Sequence, residues 1–258
     1  FPPPLLGFHA LRPQAFPESF SNHVTVEVLL PMRTSDKIAI GATLCGLAAF
    51  LVIPGFMDGF IDLTKKNPYL MSFAKFAVLA TFGECIGLRI ATGVYNKPGF
   101  GVLPRAIVWG LLGMGIKLAF TIFFSGAPNV LAELGLPVTP EVLKGGSFGL
   151  KLLVALTFSV TINTIFAPVF MTLHRITDAH IVLNGGTLRG FLTPIDVTRH
   201  FQEINWKTLW GFVFKKTLPF FWIPAHTITF MLPPHFQVLF AAFLGIILGV
   251  ILAFASRK

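Results

Sequence analysis

The chain has 258 residues, of which 54% are hydrophobic and only 12% are charged. Its mean hydropathy of +0.75 excludes a water-soluble domain, because so few polar side chains could not cover the surface. The net charge of +9 does not indicate nucleic-acid binding, since the basic residues are spread between apolar runs and no nucleic-acid motif accompanies them. The composition predicts an integral membrane protein with lipids as its main surroundings.

The chain is predicted to begin with a Pro-rich, non-membrane segment at 1–37, which holds a short β-like or amphipathic piece at His23–Leu30 and no signal-peptide pattern. A transmembrane helix bundle is predicted over 38–258, with a short polar loop at 58–67 and a longer polar inner loop at 172–207. Each apolar run of the bundle is long enough to cross a hydrocarbon core of roughly 30 Å. The runs are Ile38–Phe56, Tyr69–Tyr95, Val102–Phe124, Leu150–Met171, Leu209–Leu232 and Phe236–Phe254.

The fold class predicted from these runs is an all-α, polytopic helix bundle of about six spans with both termini inside. With the N-terminus inside, most basic residues fall in inner loops, as the positive-inside rule requires. The outer side then collects only Lys65, Lys66, Lys75, Lys144 and Lys151. A bundle of about four spans is the alternative, with the first run peripheral and the last two runs forming one helix broken by prolines.

Charged and amide side chains inside the predicted spans are the first candidates for function, because such groups are costly in a bilayer. Counted from the inner ends of their runs, Glu84, Lys117 and Asn163 lie at similar depths. Glu84 and Lys117 are therefore close enough in depth to pair. The hypothesis is a polar layer of these three residues that lines a pathway through the bundle, and the alternative is a buried ion pair that only fixes packing.

The histidines give a weaker signal. His174 and Asp178 have the i, i+4 spacing that places two side chains on one helix face, with His180 nearby. Two such residues do not make a ligand set, so an interfacial helix end is favoured over a metal site, and no metal is predicted. His226 is interpreted as a hydrogen-bonding partner of a neighbouring helix. Neither catalytic residues nor a cofactor site can be assembled from the sequence, which predicts that the protein is not an enzyme.

Glycines recur in the apolar runs at spacings that let helix backbones approach each other. Gly83 with Gly87, and Gly245 with Gly249, are small-xxx-small pairs, and further glycines crowd the run Val102–Phe124. The pattern predicts a tightly packed bundle.

Four blocks of sequence carry a resemblance to a known family. "NPYL" opens an apolar span at Asn67, Arg105 precedes "AIVWGLLGMGIK", "FAPVF" ends the fourth run, and "NW" with "IPAHTITFMLPPHF" lies in the tail. In this order the blocks resemble the Mpv-seventeen family of small mitochondrial inner-membrane and peroxisomal membrane proteins, together with its bacterial relatives. The residues that carry the resemblance are Arg105, Phe166, Ala167, Pro168, Asn205, Trp206, Pro224, Phe230, Pro233 and His235.

The resemblance covers the chain from Asn67 to the C-terminus and departs from the family pattern at Gly87–Arg89, at Ile223 and in the added span Ile38–Phe56. It implies channel-like passage of small solutes or ions, with no catalytic residue and no cofactor. A non-catalytic structural or scaffold subunit is the alternative. A bacterial cytoplasmic membrane is favoured over the mitochondrial inner membrane, because no presequence pattern is found. The expected partners are membrane lipids and a small solute or ion, with a homo-oligomer left open.

Overall fold

The computed structural model describes residues 31–136, 138–139 and 141–255. The predicted β-like or amphipathic piece at His23–Leu30 lies outside them. Within them every regular element is a helix, and the compact unit that they form begins at Met32. The elements are α1 (Thr34–Val52), α2 (Phe56–Lys66), α3 (Pro68–Thr92), α4 (Val102–Glu133), α5 (Val142–Gly145), α6 (Phe148–Thr161), the π-helical turn π1 (Ile162–Phe166), α7 (Ala167–Leu183), α8 (Leu188–Phe191), α9 (Val197–Glu203), α10 (Trp206–Thr208), the π-helical segment π2 (Leu209–Trp222), α11 (Ile223–Met231) and α12 (Pro234–Ala255).

Five helical segments in the described residues are long and apolar enough to cross a membrane. This finding supports the predicted class, an all-α membrane protein. The segments are Thr34–Val52, Pro68–Thr92, Val102–Glu133, Phe148–Leu183 and Pro234–Ile251.

The fifth predicted span, Leu209–Leu232, is helical but is not one of these five segments. It consists of π2 and α11, and Lys215 and Lys216 in its middle lower the hydropathy of the helix. The six-span count, and with it the placement of both termini inside, therefore stays a prediction.

The polar stretch at 58–67 was expected to be a loop, and this expectation is wrong over most of its length. It forms α2, which begins after Gly55 in the left-handed conformation, at a φ of 74°. Its charged residues are spaced for a helix surface, and Asp62 lies 3.7 Å from Lys66 one turn later. Because the charged residues take one face, α2 is an amphipathic helix, and it packs on α3.

Helix α1 lies at the edge of the bundle and has no buried residue. Polar contacts at its beginning hold it to the end of α3. Asp36 accepts hydrogen bonds from Nε and Nη2 of Arg89 at 2.8 and 2.6 Å, and Arg33 donates from Nη1 to the Gly93 carbonyl at 2.8 Å. Near its end, Phe50 packs edge-on against Phe56 and Phe60 of α2, and most other apolar side chains of α1 are exposed.

Helices α3 and α4 form the most extensive helix contact of the fold, and glycines make it possible. A Cβ at Gly110 would overlap the ring of Phe73, and one at Gly113 would lie 2.7 Å from Cβ of Phe76. Gly83 allows α12 to approach in the same way, since a Cβ there would meet an isoleucine side chain at 3.1 Å. The predicted close packing of small residues is confirmed at these positions but not at Gly87 or Gly245, where a Cβ would meet no atom within 4 Å.

Aromatic rings fill the centre of the bundle where α4, α6 and α11 meet. The rings of Phe158 and Phe230 stack with their centroids 3.6 Å apart, and Phe120 lies edge-on to Phe230 at 5.0 Å. All three side chains are buried. The α6–π1–α7 helix is thereby fixed against α4 and α11 on one side, and this positions its polar residues.

Candidate functional site

Arg105, in the first turn of α4, connects three helical segments that are long and apolar enough to cross a membrane. Its Nη1 lies 2.6 Å from Oε2 of Glu84 on α3 and also contacts Oδ1 of Asp178 on α7. Its Nε donates a hydrogen bond of 2.7 Å to the Phe100 carbonyl, and the guanidinium lies over the Phe100 ring at 4.5 Å. One cation thus holds two carboxylates from two different helices.

Two ring side chains contact the second carboxylate oxygen of Glu84 through their nitrogens. Nε1 of Trp109, one turn beyond Arg105 on α4, donates to Oε1 of Glu84 at 3.0 Å. Nε2 of His174 lies 3.4 Å from the same oxygen, and the Trp109 and His174 rings are 4.4 Å apart between centroids. We call Glu84, Arg105, Trp109, His174 and Asp178 the ionic cluster.

The ionic cluster is largely shielded from solvent. The exposed fractions of its side chains are 7% for Arg105, 12% for His174, 20% for Glu84 and 24% for Asp178. The space between Trp109, His174 and Asp178 is too small for a water molecule. Two carboxylates face one guanidinium, so the cluster has one carboxylate more than its arginine can balance.

Two glycine-containing turns position the cluster by meeting at close range. Gly101 precedes α4 at a φ of 75°, and a Cβ there would lie 2.6 Å from the side chain of Ile181 on α7. Gly186, at a φ of 66°, follows α7, and its Cβ would lie 2.7 Å from the nitrogen of Gly101. Only glycines permit this approach at positive φ. It brings the first turn of α4, with Arg105, against the α7 face that carries Asp178.

The three residues of the predicted polar layer lie in three different environments. Glu84 belongs to the ionic cluster, and Lys117 is half-buried with its Nζ 3.0 Å from the hydroxyl of Thr121. No ion pair joins Glu84 to Lys117 among the described residues, because Arg105 occupies the carboxylate. Lys117 lies about fifteen residues, or roughly 22 Å, from the start of α4, deeper than Glu84 lies from the end of α3. That the three residues line one pathway stays a prediction.

Asn163 forms a second buried polar site in π1. Its Nδ2 donates to the Ser159 carbonyl at 2.8 Å and lies 3.0 Å from Nδ1 of His226 on α11. The Ser159 hydroxyl donates to the Ile223 carbonyl at 2.7 Å, so both polar residues tie this helix to α11. The interpretation of His226 as a hydrogen-bonding partner of a neighbouring helix is confirmed.

Among the residues that carry the family resemblance, Arg105 alone belongs to the ionic cluster, and the others support helix ends and packing. Phe166 packs on Phe170 with ring centroids 5.5 Å apart, and Phe230 lies in the aromatic centre. The Asn205 side chain accepts a hydrogen bond from the Thr208 amide at 3.0 Å. The remaining ones begin helices or contact helix ends, and they are Ala167, Pro168, Trp206, Pro224, Pro233 and His235.

Sequence reasoning missed Trp109 and the role of Asp178 beside Arg105. The signal was present as two helical i, i+4 pairs, Arg105 with Trp109 and His174 with Asp178, each of which places two functional side chains on one face. Within the described part of the chain, no group of three or more histidines, cysteines or acidic residues is arranged for a metal ion. The charged side chains of the ionic cluster pair with one another.

Comparison with protein-family models, with curated proteins and with solved structures gave no match.

Proposed function

We propose that this membrane protein conducts small solutes or ions, and that the ionic cluster is the contact that closes the pathway at one end. The observation that carries the proposal is the group of ionisable side chains that three membrane-spanning helices bring together around Arg105. Such groups are rare inside membranes and mark solute or ion pathways when they face a bundle interior. The role involves no catalysis.

The α6–π1–α7 helix supports a route between two polar sites. Asn163 and His174 lie about eleven residues apart on it, or roughly 16 Å. Phe166 and Phe170 lie between them, and the Trp109 ring lies 6.3 Å from that of Phe170. Apolar constrictions between polar sites gate channels by excluding water. The π-helical turn at Asn163 is a feature that often occurs at functional positions.

In this proposal the described conformation is closed. The Arg105–Asp178 contact holds α7 to α4, and the space beside it does not admit water. A shift of α7 away from α4 would separate these two charges and widen the access of water to Glu84. The cluster would then present a negative side chain to the passing solute, which favours cations.

A non-catalytic scaffold subunit is the second candidate, and the tight packing of the ionic cluster favours it. Fixing the register of the helices is a sufficient role for a buried ion pair without a water-filled space. The resemblance to the Mpv-seventeen family and a place in a bacterial cytoplasmic membrane, with the mitochondrial inner membrane as alternative, stay proposals alongside both candidates. A homo-oligomer is compatible with either.

Solute flux from vesicles tests the closing role of the cluster. We compare the purified wild type with Asp178→Asn, which weakens the α7–α4 contact, and with Asp62→Asn, which makes the same chemical change at an exposed pair on α2. Faster efflux of a small cation through Asp178→Asn, with Asp62→Asn like the wild type, is the expected result. Equal efflux for all three folded proteins would contradict the gate.

Water accessibility at Asn163 separates the channel from the scaffold. Cys45 is exposed and Cys85 half-buried, so both are replaced by alanine before a single cysteine is placed at Asn163. A small aqueous thiol reagent should label Asn163→Cys faster when Asp178→Asn is also present. A thiol that stays unlabelled in both backgrounds would favour the scaffold.

A further inference from the structure

A second charged position lies near the other end of α3 and belongs to neither polar site described above. Lys75, about two helical turns after the start of α3, is 6% exposed. Its Nζ donates to the Thr64 hydroxyl of α2 at 3.0 Å and lies 4.5 Å from the centroid of the Phe60 ring. Both contacts stabilise an ammonium group, and neither neutralises its charge.

No carboxylate forms an ion pair with Lys75 among the described residues. The acidic residue of α2 that pairs with a lysine is Asp62, and its partner is the exposed Lys66 at 3.7 Å. A buried charge that the protein does not neutralise is costly. Lys75 is therefore poised to bind an anion supplied from outside the chain.

Two further basic groups converge on the same place. Lys65 of α2 and Lys75 both act electrostatically on His235, at the beginning of α12. Helix α12 packs against both α2 and α3, and its N-terminal end carries the positive pole of the helix. We call Lys65, Lys75 and His235 the basic site. Lys65 and Lys75 supply its charges from two helices, and helix α12 adds His235 and the positive pole of its dipole.

The surroundings of the basic site indicate that the bound anion belongs to a lipid headgroup. Helix α2 is amphipathic and lies next to a membrane-spanning helix, as interfacial helices do. Exposed apolar side chains lie on the same two helices, with Leu63 49%, Leu70 65% and Val78 66% exposed. An acyl chain would cover them while its phosphate meets the basic groups.

We propose that the basic site binds the phosphate of an anionic phospholipid, which fastens α2 and the start of α12 to α3. Basic pockets between membrane helices bind anionic headgroups in this way. The inference does not depend on conduction, because the site is separated from the ionic cluster along α3 and would serve a channel or a scaffold.

Lipid binding to the purified full chain in detergent tests the site. The chain is titrated with dioleoylphosphatidylglycerol, dioleoylphosphatidylcholine or inorganic phosphate, bound lipid is counted by native mass spectrometry, and thermal unfolding is followed in parallel. The matched variants are Lys75→Gln and Lys97→Gln, the second at an exposed lysine of the α3–α4 loop. We expect Lys75→Gln to weaken binding of the anionic lipid by at least about fivefold, and Lys97→Gln to leave it unchanged.

The zwitterionic lipid should bind weakly to all three proteins, and inorganic phosphate should neither stabilise the wild type nor displace the anionic lipid. Equal binding of the two lipids by the wild type, or unchanged binding in Lys75→Gln, would overturn the site. Displacement by inorganic phosphate would overturn the lipid as the ligand. If Lys75→Gln does not fold, Lys65→Gln replaces it, and undiminished anionic-lipid binding there would equally refute the proposal.

Discussion

Replacing Arg105 by glutamine should destabilise the fold more than any single change at an exposed ion pair. The substitution removes the cation between Glu84 and Asp178, and it leaves the Phe100 carbonyl without its 2.7 Å donor. Loss of one partner from a buried ion pair costs about 3–5 kcal/mol, because the remaining charge is uncompensated. Two carboxylates remain close together here, so we expect at least the upper part of that range.

Arg105→Lys separates charge from geometry. Lysine keeps the positive charge, but its ammonium group cannot reproduce the planar fork that contacts Glu84, Asp178 and the Phe100 carbonyl together. The free energy of unfolding expected for Arg105→Lys lies between those of the wild type and Arg105→Gln. Arg199→Gln is the exposed control, since Arg199 pairs with Glu203 at the surface of α9 and such pairs contribute little.

The free energy of unfolding is measured for the four proteins in mixed micelles by titration with a denaturing detergent, with circular dichroism as the signal. The predicted order of stability is wild type, Arg199→Gln, Arg105→Lys and Arg105→Gln, with the first two close together. A loss for Arg105→Gln no larger than that for Arg199→Gln would refute the buried ionic cluster. Equal losses for the two Arg105 variants would show that charge is not what the site requires.

Two further predictions concern packing and titration. Gly110→Ala should lower the free energy of unfolding by about 1–3 kcal/mol, because its Cβ would overlap Phe73. Gly115→Ala has open space around it and should raise that free energy by up to about 1 kcal/mol through helix propensity. Equal effects of the two variants in thermal unfolding would contradict the packing. Burial and a hydrogen bond to the Asp36 carboxylate raise the pKa of Tyr95, so its contribution to stability persists to about pH 10 and is lost as the pH rises through the folded-state pKa. Ultraviolet titration of a Tyr69→Phe variant follows Tyr95 alone, and a midpoint at or below the ordinary tyrosine value would contradict this.

The membrane class and the helical bundle could be predicted because long apolar runs have few alternatives in a bilayer. The charged residues at 58–67 indicate a loop by composition, yet the spacing of Asp62 and Lys66 is that of the helix α2. The segment at Leu209–Leu232 was predicted as a span from its apolar residues, but Lys215 and Lys216 leave it below the hydropathy of the other spans. For short or interrupted apolar runs, composition alone therefore does not determine whether a segment is a loop, a surface helix or a membrane span.

The sequence predicts some members of the site but not how they pair. Glu84 was singled out as a costly intramembrane charge, and His174 with Asp178 as one helix face, yet nothing in the sequence places these helices side by side. Pairing Glu84 with Lys117 relied on depth counted from run ends. The register of α3 against α4 instead brings Arg105 to Glu84, and that register is set by glycine packing and by the loop between the two helices.

Single-channel currents of the purified chain in planar bilayers test the central claim most directly. The proteins to compare are Asp178→Asn, which should open the pathway and leaves Glu84 balanced by Arg105, and the double variant Asp178→Asn with Glu84→Gln, which leaves Arg105 without a carboxylate partner. We predict discrete current steps in both, with an ion preference that shifts toward anions when Glu84 is neutralised. A folded Asp178→Asn protein without current steps, or an unchanged ion preference in the double variant, would contradict a pathway lined by the ionic cluster.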